Sequence, residues 1–154
     1  EFRRVLFRST VQFPLVPQFA CEHFGLLRLE DQRHKQFDDG VRQLEEEGLM
    51  QVFRMKHGRD PIVGVVGALQ FDVIVSRLEN EYGVKSRVEP MNYHAARWMD
   101  PGDTDPSSLA GLGANVLDVL DKRGRTVLLF PSEWALQYAE RENPKIKFLA
   151  EVDR

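Results

Sequence analysis

One stretch, residues 62–82, limits what this chain can fold into more than any other. Residues 62–67 read Ile-Val-Gly-Val-Val-Gly, a short apolar run rich in β-branched side chains. Phe71, Ile74, Val75, Leu78 and Tyr82 come next at the spacing of one helix face. A strand therefore runs through a glycine corner directly into an amphipathic helix. The run is apolar without alternation, which marks a central strand. The helix stripe needs that sheet to cover it. Gly64 and Gly67 are expected to let strand and helix approach closely.

The order of elements around this unit sets the fold class. Residues 19–29 read as a strand, and Asp31 is a candidate N-cap for the next helix. Phe37, Val41 and Leu44 give that helix its face, and Gly48 ends it. A strand over 49–55 and turn chemistry over 57–61 lead into the strand at 62–66. After the helix at 68–82, Gly83 is a stop, and residues 84–89 alternate as a half-buried strand does. This is the split βαβ, or ferredoxin-like, order βαββαβ.

The second half reads as a similar α/β unit. A strand is expected at 94–99, a polar loop at 100–106 and a short helix at 107–113. Residues 116–120 and 126–130 flank Asp121-Lys122-Arg123-Gly124, a hairpin signal. A rival reading runs one helix over 107–120 through Leu109, Leu112, Val116 and Leu120. The interruptions at Gly111 and Gly113 favour the hairpin. Ser132 caps a helix to Glu142, Asn143-Pro144 stops it, and 146–152 closes as a strand. The predicted class is α+β, a ferredoxin-like βαββαβ unit followed by a second, similar half, divided as 19–92 and 93–154. Only the element order recurs; the sequence does not.

Composition narrows the function classes. The chain has 154 residues, 42% hydrophobic and 29% charged, as a soluble globular protein of about one domain does. No apolar run approaches the ~18 residues of a membrane span. The single cysteine, Cys21, cannot form an internal disulfide, which fits a reducing, cytoplasmic compartment. A net charge of -3 argues against a bulk electrostatic grip on nucleic acid but leaves room for a local basic patch. Residues 1–9 do not match the rest of the chain. Leu6-Phe7-Arg8-Ser9 looks like the translation of a sequencing-adapter end, although a basic, strand-like lead-in over 2–7 is the alternative. Residues 10–18, with Pro14 and Pro17, read as an extended linker. The natural chain is expected to begin near Thr10 and to be truncated upstream of it.

Catalytic signals are weak. No Gly-x-x-x-x-Gly-Lys-[Ser/Thr] loop occurs, so GTP or ATP is not expected to bind here by that mechanism. Residues 64–67 resemble half of a glycine-rich nucleotide loop. They lack its third glycine and downstream acid, so a packing corner is the simpler reading. His23, His34, His57 and His94 fall on different elements without ligand spacing. Cys21 reads as packed rather than nucleophilic, and Asp72 as a first-turn partner of the helix dipole. Glu45, Glu46 and Glu47 read as a solvated face. Arg77, Lys85, Arg87 and Arg97 are either solvated or a small patch for phosphate or protein contact. Catalytic, cofactor-binding and metal residues are not expected.

Residues 64–73 with Ser76-Arg77-Leu78, Glu81-Tyr82 and Val84 resemble the C-terminal domain of the bacterial peptide chain release factor 3 family. These are translational GTPases related to elongation factor G, whose sister motif has Glu-Leu-His-Leu-Asp where this chain has Leu69-Gln70-Phe71-Asp72. Glu45-Glu46-Glu47-Gly48, Gln51-Val52-Phe53-Arg54, Ala96-Arg97-Trp98 and the tail 131–148 extend the resemblance over nearly all of the chain after Pro17. It departs from the usual pattern at Cys21, at Asp31-Gln32 and in the glycine-rich stretch after Asp100. The resemblance implies a parent whose G domain and β-barrel domain precede Thr10, with GTP and magnesium bound in that G domain. It also implies contact with the small ribosomal subunit and promotion of class I release factor departure, with no catalytic site in the fragment itself. A small-molecule-binding regulatory module is the rival expectation, from fold analogy alone.

Overall fold

The computed structural model describes residues 20–152; the readings of 1–9 and 10–18 lie outside the described residues. The first half runs β1 (His23–Leu29), α1 (His34–Glu46), β2 (Gln51–Met55), β3 (Ile62–Val65), α2 (Leu69–Tyr82) and β4 (Ser86–Met91). The second runs β5 (Ala95–Asp100), a 3-10 turn (Pro106–Ser108), β6 (Leu117–Leu120), β7 (Thr126–Phe130), α3 (Glu133–Glu142) and β8 (Lys147–Leu149). The strands follow the order β4-β1-β3-β2-β6-β7-β5-β8, with antiparallel pairing throughout.

That order contains the ferredoxin-like arrangement twice. The first four positions hold the fourth, first, third and second strands of the first half. The last four hold the second, third, first and fourth strands of the second half. The two halves meet edge to edge through β2 and β6, where Arg54 faces Leu120 and Met55 faces Val119.

Side-chain parity explains the layers. On one face of the first half of the sheet, Leu27, Val52, Val63 and Val65 pack with Phe37, Val41 and Leu44 of α1 and Ile74 and Leu78 of α2. Phe24, Phe53 and Ile62 point the other way. They join Ala96, Trp98, Val119, Val127 and Leu129 in a single cluster, so the two halves of the eight-stranded sheet share this core. Phe53 is the link, with ring centroids 6.2 Å from Phe24 and 6.1 Å from Trp98. Leu128, Phe130, Ala95 and Met99 face outward again and are covered by Leu136 and Ala139 of α3. β3 is fully buried over its four residues. Each such aliphatic side chain contributes roughly 1.5–3 kcal/mol relative to exposure.

Several local expectations shift. Asp31 is not the N-cap of α1, which begins after Arg33 without a side-chain cap. Its carboxylate instead accepts the Arg33 amide at 2.9 Å and the Lys85 amide at 3.1 Å. The Arg33 guanidinium in turn donates to the Gly83 carbonyl at 2.7 Å. Asp31 and Arg33 thus clasp the end of α2 to the start of α1. The helix expected over 107–113 is only the 3-10 turn, and the rival helix over 107–120 gives way to strand β6. Gly111 adopts φ 73°, which ends helical continuity. Asn143 fixes the loop by donating to Ala110 O at 2.8 Å and accepting from Ala110 N at 3.0 Å. The hairpin, the Ser132 cap (3.1 Å to the Ala135 amide) and the left-handed Gly83 agree with the sequence reading. The closing strand shortens from 146–152 to β8.

Candidate functional site: the glycine corner and the basic residues

The turn from β3 into α2 is held by one side chain. Gln70 Oε1 accepts the amides of Val66 at 3.0 Å and Gly67 at 2.8 Å. Its Nε2 donates to the Leu49 carbonyl at 3.2 Å. Gln70 therefore satisfies two amides of the turn that precedes the N-cap Ala68, and it ties them to the chain entering β2. A phosphate cradle needs free amides converging on a ligand. Here the Val66 and Gly67 amides are occupied from within.

The two corner glycines serve different ends from those expected. A Cβ on Gly64 would lie 2.8 Å from Cys21 Sγ and 3.0 Å from the Phe24 ring, on the face opposite the helices. Gly64 makes room for those residues, not for α2. A Cβ on Gly67 would meet nothing nearer than Gln70 Oε1 at 3.9 Å. Close helix approach is instead supplied by Gly40 of α1, where a Cβ would lie 2.6 Å from Leu78 Cδ2 and 3.0 Å from the Tyr82 ring.

The same corner carries an unexpected surface. Leu69 is 79% exposed, and Val66 and Val73 are exposed beside it. Leu69 and Val73 lie on α2 off the buried Ile74–Leu78 line, and Val66 is in the turn between β3 and α2. The sequence signal was present: Leu69 and Val73 are an i, i+4 apolar pair outside the core-facing set. Asp72 lies exposed in the first turn of α2.

The four basic candidates do not form one cluster of free charge. Arg77 of α2 is held by Glu81 at 2.7 Å and by Glu47, at the end of α1, also at 2.7 Å. The hydrogen bonds to Glu81 and Glu47 push its pKa further up, and Arg77 holds Glu81 below its ordinary value. Arg87 lies on β4, opposite Arg28 of β1, and contacts Glu30 at 3.2 Å and Glu89 at 2.9 Å. Glu89 in turn takes Arg28 at 2.7 Å, and the hydrogen bonds from Arg28 and Arg87 hold its carboxyl down. Lys85 is exposed in the link between α2 and β4. Arg97 sits in the second half, on β5, and donates to Ala96 O at 2.9 Å. It lines a hollow with Cys21, Val66 and His94. Among the described residues, neither Lys85 nor Arg97 pairs with a carboxylate.

The glutamates read as a solvated face divide in the same way. Glu45 accepts the Val52 amide at 2.8 Å, Glu47 holds Arg77, and Glu46 is exposed. Among the described residues, no three His, Cys, Asp or Glu side chains are grouped to hold a metal ion. No helix among them is long and apolar enough to cross a membrane. Cys21 is buried, with Sγ donating to Gln51 Oε1 at 3.5 Å. Among the described residues, the buried carboxylate is Asp121, at the β6–β7 turn. It accepts from Trp98 Nε1 at 2.9 Å, from the amides of Arg123 at 2.9 Å and Arg125 at 2.8 Å, and from Arg125 Nε at 2.8 Å. Burial pushes its pKa up, but these donors outweigh burial and hold it below the ordinary aspartate value.

Comparison with known proteins agrees with this signature. The family described as "Class II release factor RF3, C-terminal domain" matches residues 13–140. Peptide chain release factor 3 of Symbiobacterium thermophilum is 39% identical over 143 residues, 91% of this chain and 27% of that relative. The Gloeothece citriformis protein of the same name is 39% identical over 140 residues, covering 89% and 26%. That of Microcystis aeruginosa is 40% identical over 140 residues, with the same coverage. The chain spans about a quarter of the length of the curated relatives it matches. With the family match covering most of its length, the chain belongs to the release factor 3 C-terminal domain family.

Proposed function

We propose that this chain is the ribosome-contacting C-terminal domain of a cytoplasmic translation-termination GTPase that promotes release of class I release factors. The observation that carries this reading is the family match over residues 13–140. GTP and magnesium belong to the parent's G domain, and this domain acts by contact rather than by chemistry. Residues 19–92 and 93–154 form its two halves.

Arg77, Lys85, Arg87 and Arg97 are the proposed contacts with the small subunit. Lys85 and Arg97 carry most of that role, because the charges of Arg77 and Arg87 are shared with glutamates. The exposed apolar residues Val66, Leu69 and Val73 support a second contact, with the parent's other domains.

The test is a chimera in which this chain replaces the matching segment of the Symbiobacterium thermophilum relative. Ribosome-stimulated GTP hydrolysis and class I factor dissociation are expected to persist, and the isolated chain is expected to bind no GTP. A chimera that melts normally but fails to promote dissociation would overturn the reading. Lys85→Glu and Arg97→Glu in the chimera are expected to weaken ribosome pelleting with unchanged melting. Unchanged pelleting would remove those two contacts.

A further inference from the structure

Helix α3 carries an exposed aromatic stack that the fold does not need. Trp134 is 67% exposed, and its ring lies nearly parallel to Tyr138, with centroids 5.3 Å apart and planes 7° apart. The Arg141 guanidinium lies 5.7 Å from the Tyr138 centroid. Trp134, Tyr138 and Arg141 form an i, i+4, i+7 stripe, so the ladder is ring, ring, guanidinium. One face of Trp134 rests on Tyr138, and its exposure leaves the other face to solvent. A tryptophan normally adds a large buried area to a core. Left outside, it is the residue type that anchors interfaces.

Charge identifies the partner. Glu133, Gln137 and Glu140 form the adjacent stripe of the same helix, and Glu133 and Glu140 are exposed. The helix holds three glutamates against one arginine. Glu133 also lies 3.2 Å from His94 Nε2, with Glu133 more than half exposed. A phosphate backbone would be repelled here. A cation placed over the open indole face is attracted both by the ring and by the neighbouring carboxylates. Among cations, the planar guanidinium both stacks on a ring and pairs with a carboxylate, which the compact ammonium of lysine does less well. We propose that α3 is a docking surface for an arginine-bearing protein segment, with a guanidinium stacked on the outer face of Trp134 and paired to Glu133. This proposal concerns a different surface from the basic contacts above and does not rest on them.

The test uses the whole chain, a capped peptide of alternating arginine and glycine, the same peptide with citrulline in place of arginine, and a single-stranded RNA oligonucleotide. The two indole N–H signals are separate NMR reporters, because that of Trp98 is bonded to Asp121. The arginine peptide is expected to shift the Trp134 signal saturably at about millimolar concentration and to leave Trp98 in place. Citrulline should weaken this by about ten-fold, and Glu133→Gln by about three-fold. Trp134→Leu should abolish the response of the helix amides while the Trp98 signal reports an intact fold. The proposal is overturned if the RNA shifts Trp134 and the arginine peptide does not. Equal binding of the citrulline peptide, full binding by Trp134→Leu, or no shift with any probe would also overturn it.

Discussion

Gln70 Oε1 lies 2.8 Å from the Gly67 amide, so the side chain of the first turn of α2 closes the corner that delivers the chain into that helix. The donor and acceptor ends of this amide are fixed by their partners: two N–H groups on one side and the Leu49 carbonyl on the other. Gln70→Ala removes all three bonds. It is expected to cost about 1–2 kcal/mol in urea denaturation. Hydrogen exchange at the Val66 and Gly67 amides should accelerate more than at Val63. Unchanged protection at both amides would mean that Gln70 does not hold the corner.

Asp121 makes stability pH-dependent in a known direction. Its folded pKa lies below its ordinary value, so near pH 4 the unfolded chain binds more protons than the native one. The contribution is therefore complete above the ordinary carboxylate range and is lost as pH falls through the depressed native value. Asp121→Asn is expected to cost about 2–3 kcal/mol at neutral pH, because the Trp98, Arg123 and Arg125 donors lose their charged acceptor. The gap between wild type and variant should narrow from pH 5 towards pH 2 in parallel denaturant titrations. A gap that stays constant across that range would rule out this linkage.

Gly40 sets two opposing effects against each other. Alanine would improve helix propensity by about 1 kcal/mol. Its Cβ, however, would press on Leu78 Cδ2 and the Tyr82 ring in a fully packed cluster. Overpacking of this kind typically costs about 1–3 kcal/mol, so Gly40→Ala is expected to be destabilising overall. Shortening the partner in Gly40→Ala/Leu78→Val should cost less than the sum of the two single changes. Thermal melts of the four proteins in that cycle decide the matter; simple additivity would argue against the contact.

Arg77 joins the ends of two helices, but in a partly solvated setting. Arg77→Met is expected to cost about 0.5–1 kcal/mol at low salt, and less as salt is raised. Arg77→Glu should cost more, since it would face both Glu47 and Glu81. A melting temperature unchanged in both variants would make the ion pairs energetically idle. Because Arg77→Glu alters stability by itself, Lys85 and Arg97 are the cleaner positions for probing ribosome contact.

What was legible in the sequence was local. The apolar run at 62–65, the stripe Phe71–Ile74–Leu78–Tyr82, Gly83, the Asp121–Gly124 turn and the Ser132 cap depend on neighbours a few residues away, and periodicity and turn chemistry record them. The errors came from distant partners. Asp31 looked like a cap, but Lys85, far along the chain, takes its second oxygen. Residues 107–113 looked helical, but Asn143 holds the loop at Ala110. Gln70 was visible as part of a signature, yet its work depends on Leu49 being brought beside it. The basic candidates were chosen by charge, and only the fold revealed which arginines share theirs with glutamates. The exposed Trp134 was likewise invisible, since apolar residues are counted toward the core until a surface is drawn.

The seam between β2 and β6 joins corresponding strands of the two halves, each the second strand of its own unit. Each half thus covers the edge that the other would leave open, and open edges invite pairing with further chains. A chain cut near residue 92 would release two fragments with unpaired edges of the same kind. Each fragment would then carry a template for self-association, with a second copy of itself standing in for the lost half. The doubled architecture therefore closes one pair of edges against such pairing and leaves β4 and β8 as its outer strands.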